Sequence, residues 1–376
     1  MAPLLTYSLF YLLLAHFSFT SVVGTVAIES RDSSPISVTA SDWIWTATTT
    51  ANTFVGLRKD FTPPLGKLPV AAEIVITASE FFTLFVNGDL VGSGTPPART
   101  RFAQRFCADL IPSLNVFAVN ASTASTLGGL IATILVTYSD GTTDTLVSDS
   151  TWRAKSGLPA GFEQLSFDDT AWAAATVSGS YETGIWASTE VYIPSDPPVL
   201  TLERATWIWT DVIPPSGILP VGPRAFRQTF SSAPGQVPAT ANIVIAADNQ
   251  YTLYVNGVNI GNGTSNKIAQ HYTVNFATGP TEIVLAVLAN NTDVSVAGLL
   301  VEMEVNMQPS GPASCTAGSF VLTDAGWKST KGDIPAGFEQ PEFDDSAWPP
   351  ADAGGLYGAA PWGNLPIAAA SPPVTI

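Results

Sequence analysis

Apolar and polar residues alternate over short segments of the chain, and most of these segments end beside asparagine, aspartate or glycine. Alternation with a period of two is typical of a β-strand that buries one face. The pattern predicts strands at 71–78, 83–86, 115–120 and 130–138, and again at 241–247, 252–255, 282–289 and 299–305. No long segment has the helical spacing of three and four residues, so any helices are predicted to be at most single turns, around 168–175 and 344–347.

The second half of the sequence repeats the first. Three motifs occur once in each half: Trp43-Ile44-Trp45-Thr46 and Trp207-Ile208-Trp209-Thr210, Phe85-Val86-Asn87-Gly88 and Tyr254-Val255-Asn256-Gly257, and Gly161-Phe162-Glu163-Gln164 and Gly337-Phe338-Glu339-Gln340. A repeat this long predicts two domains with separate cores. The Asn-Gly pairs predict tight hairpins, because both residues tolerate positive φ. The paired tryptophans at 43 and 45, and at 207 and 209, are predicted to share one face of a strand and enter the core.

The predicted organisation is two β-sandwiches of about eight strands each, joined by a short linker that its prolines make stiff. The predicted boundaries are a signal peptide at 1–27, a polar lead-in at 28–40, a first sandwich at 41–193, a proline-rich linker at 194–203, a second sandwich at 204–366 and a tail at 367–376.

The amino terminus indicates export. Residues from Leu4 to Val23 are almost wholly apolar, and small residues follow at Gly24 and Ala27, which is typical of a cleaved secretory signal. The first basic residue is Arg31, so a signal anchor is the alternative. No later segment is apolar over the roughly 18 residues that a membrane span needs. The mature protein is therefore predicted to be secreted and free of the membrane, with glycosylation candidates in the sequons at Asn120, Asn262 and Asn290.

Charge and cysteine content narrow the partners and the chemistry. A net charge of −16 argues against nucleic acid and anionic membranes, which need clustered Lys and Arg. The two cysteines, Cys107 and Cys315, occupy positions that do not correspond between the copies. They form either a disulfide between the domains or two separately buried thiols. Neither a catalytic triad nor a zinc site of usual composition can be built from two cysteines and a single histidine, His271, outside the signal.

A wider set of motifs carries a resemblance to a known family. It comprises the Trp-x-Trp opening, Arg58 and Arg227 in leading strands, Phe-Asp-Asp-x-x-Trp in both copies, and a closing Pro-Trp-Gly at Pro361-Trp362-Gly363. This set resembles the galactose-binding-domain-like jelly roll, and in particular the accessory β-sandwich domains of α-L-rhamnosidases. The resemblance implies an all-β protein with two tandem jelly-roll β-sandwich domains, a lectin-like role and, in some members, a structural Ca²⁺. In those glycosidases a separate helical barrel performs catalysis, and the sequence leaves no length for one.

The paired carboxylates Asp168-Asp169 and Asp344-Asp345 invite a glycosidase interpretation, since glycoside hydrolysis uses two carboxyl groups. Neighbours on one chain rarely supply both. The resemblance implies instead a turn in which aspartate accepts backbone N–H groups. No catalytic residue is therefore predicted, and no cofactor is required.

Two groups of residues are the predicted sugar contacts. Trp186 with Tyr181, and Trp362 with Tyr357, lie in glycine-rich closing loops, where their rings either stack on sugars or pack over the end of the sandwich. Planar polar groups that suit hydroxyls or a uronate carboxylate occur after the hairpins, at Arg99, Arg101 and Arg105 in the first copy and at Asn266, Gln270 and His271 in the second.

The sequence as a whole predicts a secreted, non-catalytic carbohydrate-binding protein with carbohydrate or polysaccharide as its partner. Two weak sites on one chain would gain affinity by avidity. The alternatives are a glycoside hydrolase or an accessory subunit of one, which needs convergent carboxylates, and a structural or adhesion protein of a cell wall, which needs exposed apolar patches.

Overall fold

The computed structural model describes residues 36–94, 102–186, 190–195, 197–210, 217–232, 234–309, 315, 317–331 and 333–376. The predicted signal peptide and residues 28–35 of the lead-in lie outside this part of the chain. The described residues form one compact all-β unit whose single short helix is a 3-10 turn at Gly184–Trp186. Within these ranges no helix is long and apolar enough to span a bilayer.

All eight predicted strand segments fall inside observed strands, and short strands at the sheet edges add to them. The first copy contains β1 (Asp42–Trp45), β2 (Thr53–Phe61), β3 (Pro69–Ala78), β4 (Phe81–Val86), β5 (Asp89–Gly94), β6 (Gln104–Asp109), β7 (Asn115–Thr123), β8 (Leu130–Tyr138), β9 (Thr143–Val147), β10 (Arg153–Ser156), β11 (Ala173–Ala174) and β12 (Thr176–Ser180). The second contains β13 (Thr206–Trp209), β14 (Gly222–Ser231), β15 (Gln236–Asp248), β16 (Gln250–Val255), β17 (Val258–Gly263), β18 (Ala269–Asn275), β19 (Glu282–Asn291), β20 (Gly298–Pro309), β21 (Ala317–Leu322), β22 (Lys328–Lys331), β23 (Asp352–Leu356), β24 (Ile367–Ala370) and β25 (Val374–Thr375).

Each copy is a sandwich of two sheets. In the first copy, the order β12-β1-β8-β3-β6 faces the order β11-β10-β2-β7-β4-β5. In the second copy, β20, β15 and β18 form the centre of one sheet, and the other has the order β17-β16-β19-β14-β22. The inward positions of both sheets fill a separate apolar core in each copy. The residues predicted as a tail form β24 and β25, which pair in parallel with β18.

The two hairpin turns confirm the sequence prediction. Asn87 and Gly88 have φ of 56° and 94°, and Asn256 and Gly257 have φ of 46° and 79°. All four values lie in the left-handed region that a two-residue hairpin turn requires. The hairpins set the register of β4 with β5 and of β16 with β17.

The prediction that each Trp-x-Trp pair shares one face is wrong. A β-bulge lies between Trp43 and Ile44, and the same bulge recurs between Trp207 and Ile208. In each case the extra residue lies on the partner strand, because Trp43 pairs with Gly179 and Ile44 with Val177, and the second copy repeats this with Gly355 and Ala353. The second tryptophan of each pair enters the core between the sheets, whereas the first packs in a separate cluster under the closing loop.

A disulfide and one strand pairing join the two copies. Cys107 and Cys315 are bonded, which decides between the two alternatives that the sequence left open. Beside this bond, Arg105 of β6 pairs with Gly318 of β21, so one sheet continues from the first copy into the second. The side-chain amide of Gln236 also donates to the Cys107 carbonyl at 2.7 Å.

A buried acidic pair lies near this junction and makes stability depend on pH. Glu302 and Glu304 share the Arg204 guanidinium, and burial raises the pKa of both carboxyl groups from 4.5 to about 7. The folded protein therefore binds more protons than the unfolded chain between these values. The resulting stabilisation is complete below about pH 4.5 and is lost as pH rises through 7. Denaturant unfolding at pH 5 and pH 8 measures how much the free energy of unfolding falls between these two pH values. Glu302→Gln should make this fall smaller. An equal fall in the variant and the wild type would contradict the role of Glu302 in the pH dependence.

Candidate functional site

The closing loop of the first copy buries its tryptophan. The Trp186 ring is 7% exposed and stacks on Trp43 with ring centroids 4.4 Å apart. Its indole N–H donates to the Ser178 hydroxyl at 3.1 Å. The face of Trp186 is covered from within the protein, which favours packing over the sandwich end rather than a sugar platform at this ring.

The second copy repeats this arrangement with a carboxylate partner. Trp362 is half-buried and stacks on Trp207 at 4.2 Å, and its N–H donates to Asp248 Oδ2 at 2.9 Å. The hydroxyl groups of the tyrosines in the two loops also form hydrogen bonds within the protein. The Tyr181 hydroxyl accepts the Val191 amide at 3.2 Å, and the Tyr357 hydroxyl bonds to both backbone groups of Leu365. These aromatic residues hold the closing loops against the sandwich ends.

Two glycines make room for the stacked rings. A Cβ on Gly129 would lie 2.5 Å from Trp186 Cζ2, and one on Gly298 would lie 2.7 Å from Trp207 Cε3. Gly129→Ala is therefore expected to lower the free energy of unfolding by about 1–3 kcal/mol, as overpacking does. Thermal unfolding of Gly129→Ala, Trp186→Leu and the double variant tests the cause. The double variant should lose less unfolding free energy than the two single variants lose together, because Trp186→Leu removes the ring that the new methyl group meets. Strictly additive losses would count against a clash between residues 129 and 186.

The predicted polar sugar contacts within the described residues are distributed over β6, β18 and the turn after β17. Arg105 donates to Glu73 Oε1 at 2.7 Å and to the Pro194 carbonyl at 3.3 Å, so its guanidinium is not available for a uronate. His271 is buried, and burial lowers the pKa of its imidazole, which keeps the ring neutral. Gln270 precedes it on β18, and Asn266 lies in the turn after β17. The predicted contacts Arg99 and Arg101 lie outside the described residues.

A concave pocket of about 430 Å³ lies on the second copy, at one end of the five-stranded sheet. It is lined by Pro223, Gln250, Tyr251, Thr252, Asn262, Gly263, Thr264, Leu288 and Asn290. Strand pairing explains this grouping, because Thr252 of β16 faces Asn262 of β17 on one side and Leu288 of β19 on the other. In the same way, Asn290 lies between Gln250 and Pro223. Residues far apart in sequence thus share one outward face.

The floor of the pocket includes Tyr251, which is backed by a second buried tyrosine, Tyr272. The Tyr251 hydroxyl lies 3.3 Å from that of Tyr272, which donates to the Asn262 carbonyl at 3.0 Å. A Cβ on Gly261 or Gly263 would lie 2.3 Å from the Tyr272 or Tyr251 ring, so both glycines are needed for this close packing. Burial raises the pKa of Tyr251 and keeps it neutral. The floor is therefore rigid and uncharged.

The rim offers hydrogen bonds that the protein does not use. No described residue bonds to the side chains of Gln250, Thr252, Asn262 or Asn290, and none of the lining residues is charged. Each amide can donate and accept, and Leu288 and Pro223 add apolar surface. Such a surface suits a neutral ligand that carries hydroxyl groups and apolar C–H faces. It offers no carboxylate for acid or base chemistry.

No protein-family model matches the chain. A solved lectin from Pleurotus ostreatus is 35% identical to it, over 88% of this chain and 95% of the lectin, with a TM-score of 0.40. A second structure of that lectin, in complex with GalNAc, also has 35% identity and a TM-score of 0.40 and is covered to 96%. By sequence, the chain belongs to the family of this lectin. The relationship rests on identity and coverage, because the TM-score is too low to compare the geometry of the two proteins.

Sequence similarity extends to an α-L-rhamnosidase from Streptomyces avermitilis, which is 28% identical over 207 residues. The match covers 53% of this chain and 19% of the enzyme. The solved structure of an S. avermitilis α-L-rhamnosidase with L-rhamnose is 19% identical over 87% of this chain and 32% of its own, with a TM-score of 0.35. The resemblance to rhamnosidase accessory domains is confirmed, and the chain spans about a fifth of the curated enzyme's length.

The first copy does not reproduce the pocket. Strand pairing places Phe81 where the second copy has Gln250, Ser93 where it has Asn262, and Ser122 where it has Asn290. All three amides are thus absent from the first copy. The two copies share a fold but differ in the groups that they present at this position.

Two predicted glycosylation sites border the pocket, and the third does not. Asn262 is exposed and Asn290 is half-buried, and both side chains line it. Asn120 is half-buried in β7, and its Oδ1 has no hydrogen-bond partner among the described residues. A glycan on Asn262 or Asn290 would therefore compete with a ligand for the same space.

The fold family implies a calcium ion in some members, and Ca²⁺ takes six to eight oxygen ligands. Within the described ranges, no group of three or more His, Cys, Asp or Glu side chains could hold a metal ion. Asp248 Oδ1 is buried without a hydrogen-bond partner, but the second oxygen is held by Trp362. One carboxylate oxygen does not make a calcium site.

Proposed function

We propose that the protein is a secreted, non-catalytic lectin, and that the pocket of its second copy holds one neutral sugar unit. The observation that carries the proposal is the set of unpaired polar side chains around a rigid, uncharged floor. Gln250, Asn262 and Asn290 supply paired donors and acceptors for neighbouring hydroxyls. Leu288 and Pro223 supply contact area for the C–H face of a sugar ring.

The size and exposure of the pocket favour weak binding. A volume of 430 Å³ falls near the lower end of ligand pockets, which fits a monosaccharide unit at the end of a glycan. Open sites with a few neutral hydrogen bonds bind weakly, and a millimolar dissociation constant corresponds to about −4 kcal/mol. Because the first copy lacks the three amides, avidity cannot come from two equal sites on one chain.

A glycosidase is the weaker candidate. Glycoside hydrolysis needs two carboxyl groups that flank the bond. The described lining of the pocket contains none, and the paired aspartates have structural partners instead. Asp168 accepts the Thr170 amide at 3.0 Å, which confirms its predicted turn role, and Asp169 binds Arg58 at 3.0 Å. The known activity of the rhamnosidase relatives is therefore not carried over to this chain.

Removal of two pocket side chains tests the proposed function. Gln250→Ala with Thr252→Ala should weaken GalNAc binding by about fivefold to 150-fold, since each of the two lost hydrogen bonds contributes about 0.5–1.5 kcal/mol. GalNAc is the first probe because the P. ostreatus lectin was solved with it, and L-rhamnose is the second. Isothermal titration calorimetry measures both.

The matched control changes the same residue types outside the pocket and outside the junction of the two copies, at Thr143 and Gln308, which are both exposed. It should bind like the wild type. Equal affinity in the pocket variant and the control would reject this pocket as the sugar site.

A further inference from the structure

A second concave surface of about 320 Å³ lies where the two copies meet. We call it the junction groove. Both copies line it, with Phe81, Ser93, Gly94 and Gln104 from the first and Thr229, Phe230, Ser231, Ser232, Pro234, Met307, Ser319 and Phe320 from the second. The groove therefore exists only in the assembled chain.

The junction groove occupies the place on the first copy that the pocket occupies on the second. Phe81 and Ser93 are the strand-pairing counterparts of Gln250 and Asn262, as described above. Gly94 pairs with Phe82 in the way that Gly263 pairs with Tyr251. In the second copy this place is open, whereas in the first copy the end of β14 and part of β21 form an opposite wall.

The two walls are held in position by the covalent junction. Gln104 precedes Arg105, and Ser319 and Phe320 follow Gly318, so these lining residues flank the pairing that joins the sheets. The nearby disulfide secures the same contact. The Phe320 ring is fixed by the Arg204 guanidinium, whose carbon lies 4.3 Å from the ring centroid. The groove is preformed rather than dependent on a ligand.

The lining combines aromatic rings with unused polar groups and carries no charge. Phe81, Phe230 and Phe320 are half-buried and leave part of their ring surface open. No described residue hydrogen-bonds to the side chains of Gln104 or Ser93. Aromatic faces bind the C–H faces of sugars, and neutral hydroxyl and amide groups bind their hydroxyls.

We propose that the junction groove is a second carbohydrate site that takes one neutral sugar unit with an apolar face. This proposal rests on the proposed function, because both sites take sugars. The junction groove differs in chemistry from the pocket, since it offers aromatic rings where the pocket offers three amide side chains. The chain would then carry two unequal sites, one formed by the second copy alone and one formed by both copies together.

Backbone amide NMR during titration with GalNAc and L-rhamnose tests the proposal, because each site has its own reporters. We expect saturable shifts at Gly94, Ser231 and Ser319 for the groove, and at Thr252 and Gly263 for the pocket. Ser231→Phe should fill the groove and abolish the first set of shifts while leaving the second. Ser156→Phe is the matched control, since Ser156 is exposed on β10 and does not line the groove.

The outcomes separate the two proposals. Shifts at the pocket alone would overturn the groove site and leave the proposed function standing. Shifts at the groove alone, removed by Ser231→Phe, would support the groove and reject the pocket. An absence of saturable shifts at both sets with both sugars would reject both.

Discussion

Replacement of Arg227 by alanine is expected to lower the free energy of unfolding by about 3–5 kcal/mol. The guanidinium is buried and donates to Asp345 at 2.8 Å, to the Phe338 carbonyl, and to the Gln340 carbonyl at 3.1 Å. It also lies over the Phe343 ring, 5.4 Å from the centroid. The truncation leaves a carboxylate and two carbonyl groups without their donor, and this penalty exceeds the loss of one hydrogen bond.

Denaturant unfolding measures this loss, and two further variants show its origin. Arg58→Ala should lose a similar amount, because Arg58 makes the corresponding contacts in the first copy, with Asp169 and the carbonyls of Phe162 and Gln164. Arg153→Ala is the control, since Arg153 is 41% exposed and also contacts Asp169, at 3.4 Å. It should cost at most about 1 kcal/mol. If Arg227→Ala and Arg58→Ala each lower the free energy of unfolding by less than about 1 kcal/mol, the claim that these buried contacts stabilise the fold is contradicted.

Loss of the inter-copy disulfide should have the second large effect. Cys107→Ser with Cys315→Ser is expected to lower the free energy of unfolding by about 2–5 kcal/mol. The bond closes a loop with a sequence separation of 208, and loops of this length restrict the unfolded chain strongly. The bond also secures the pairing of Arg105 with Gly318, which is a single bridge.

Reducing agent supplies the control for this prediction. Dithiothreitol should lower the unfolding temperature of the wild type towards that of the double serine variant and leave the variant unchanged. If the wild type and the double serine variant unfold at the same temperature without reductant, the disulfide adds nothing to stability and the prediction is wrong.

Local sequence signals predicted the strands and hairpins well, because their causes lie within a few residues. The Asn87-Gly88 and Asn256-Gly257 turns are examples. Register changes were harder to predict. The pairing irregularity beside Trp43 and Trp207 involves strands that are distant in sequence, and alternation within one strand placed both tryptophans of each pair on one face.

The Phe-Asp-Asp-x-x-Trp motif was understood only in part. The first aspartate caps a turn as the family resemblance implied, and Asp344 accepts the Ser346 amide at 2.9 Å. The partner of the second aspartate was missed, although Arg58 and Arg227 recur in step with it. Recurrence of an arginine and an aspartate at matching positions of a repeat is the signal that could have paired them.

The candidate pocket could not be predicted because strand pairing assembles it. Gln250, Asn262 and Asn290 lie on three strands, and only their register brings them to one face. The outward positions 250 and 252 of an alternating strand were a usable signal. The aromatic residues of the closing loops were more conspicuous, but the glycines beneath them let the rings pack inward, which hides Trp186.

A structure determined from crystals soaked with GalNAc tests most directly the central claim that the pocket of the second copy binds a sugar. The account predicts electron density for one sugar ring in the pocket of the second copy, with hydroxyl groups within hydrogen-bond distance of Gln250 and Asn262. A ring found on the closing loops near Trp362, or an empty pocket at a saturating sugar concentration, would contradict it.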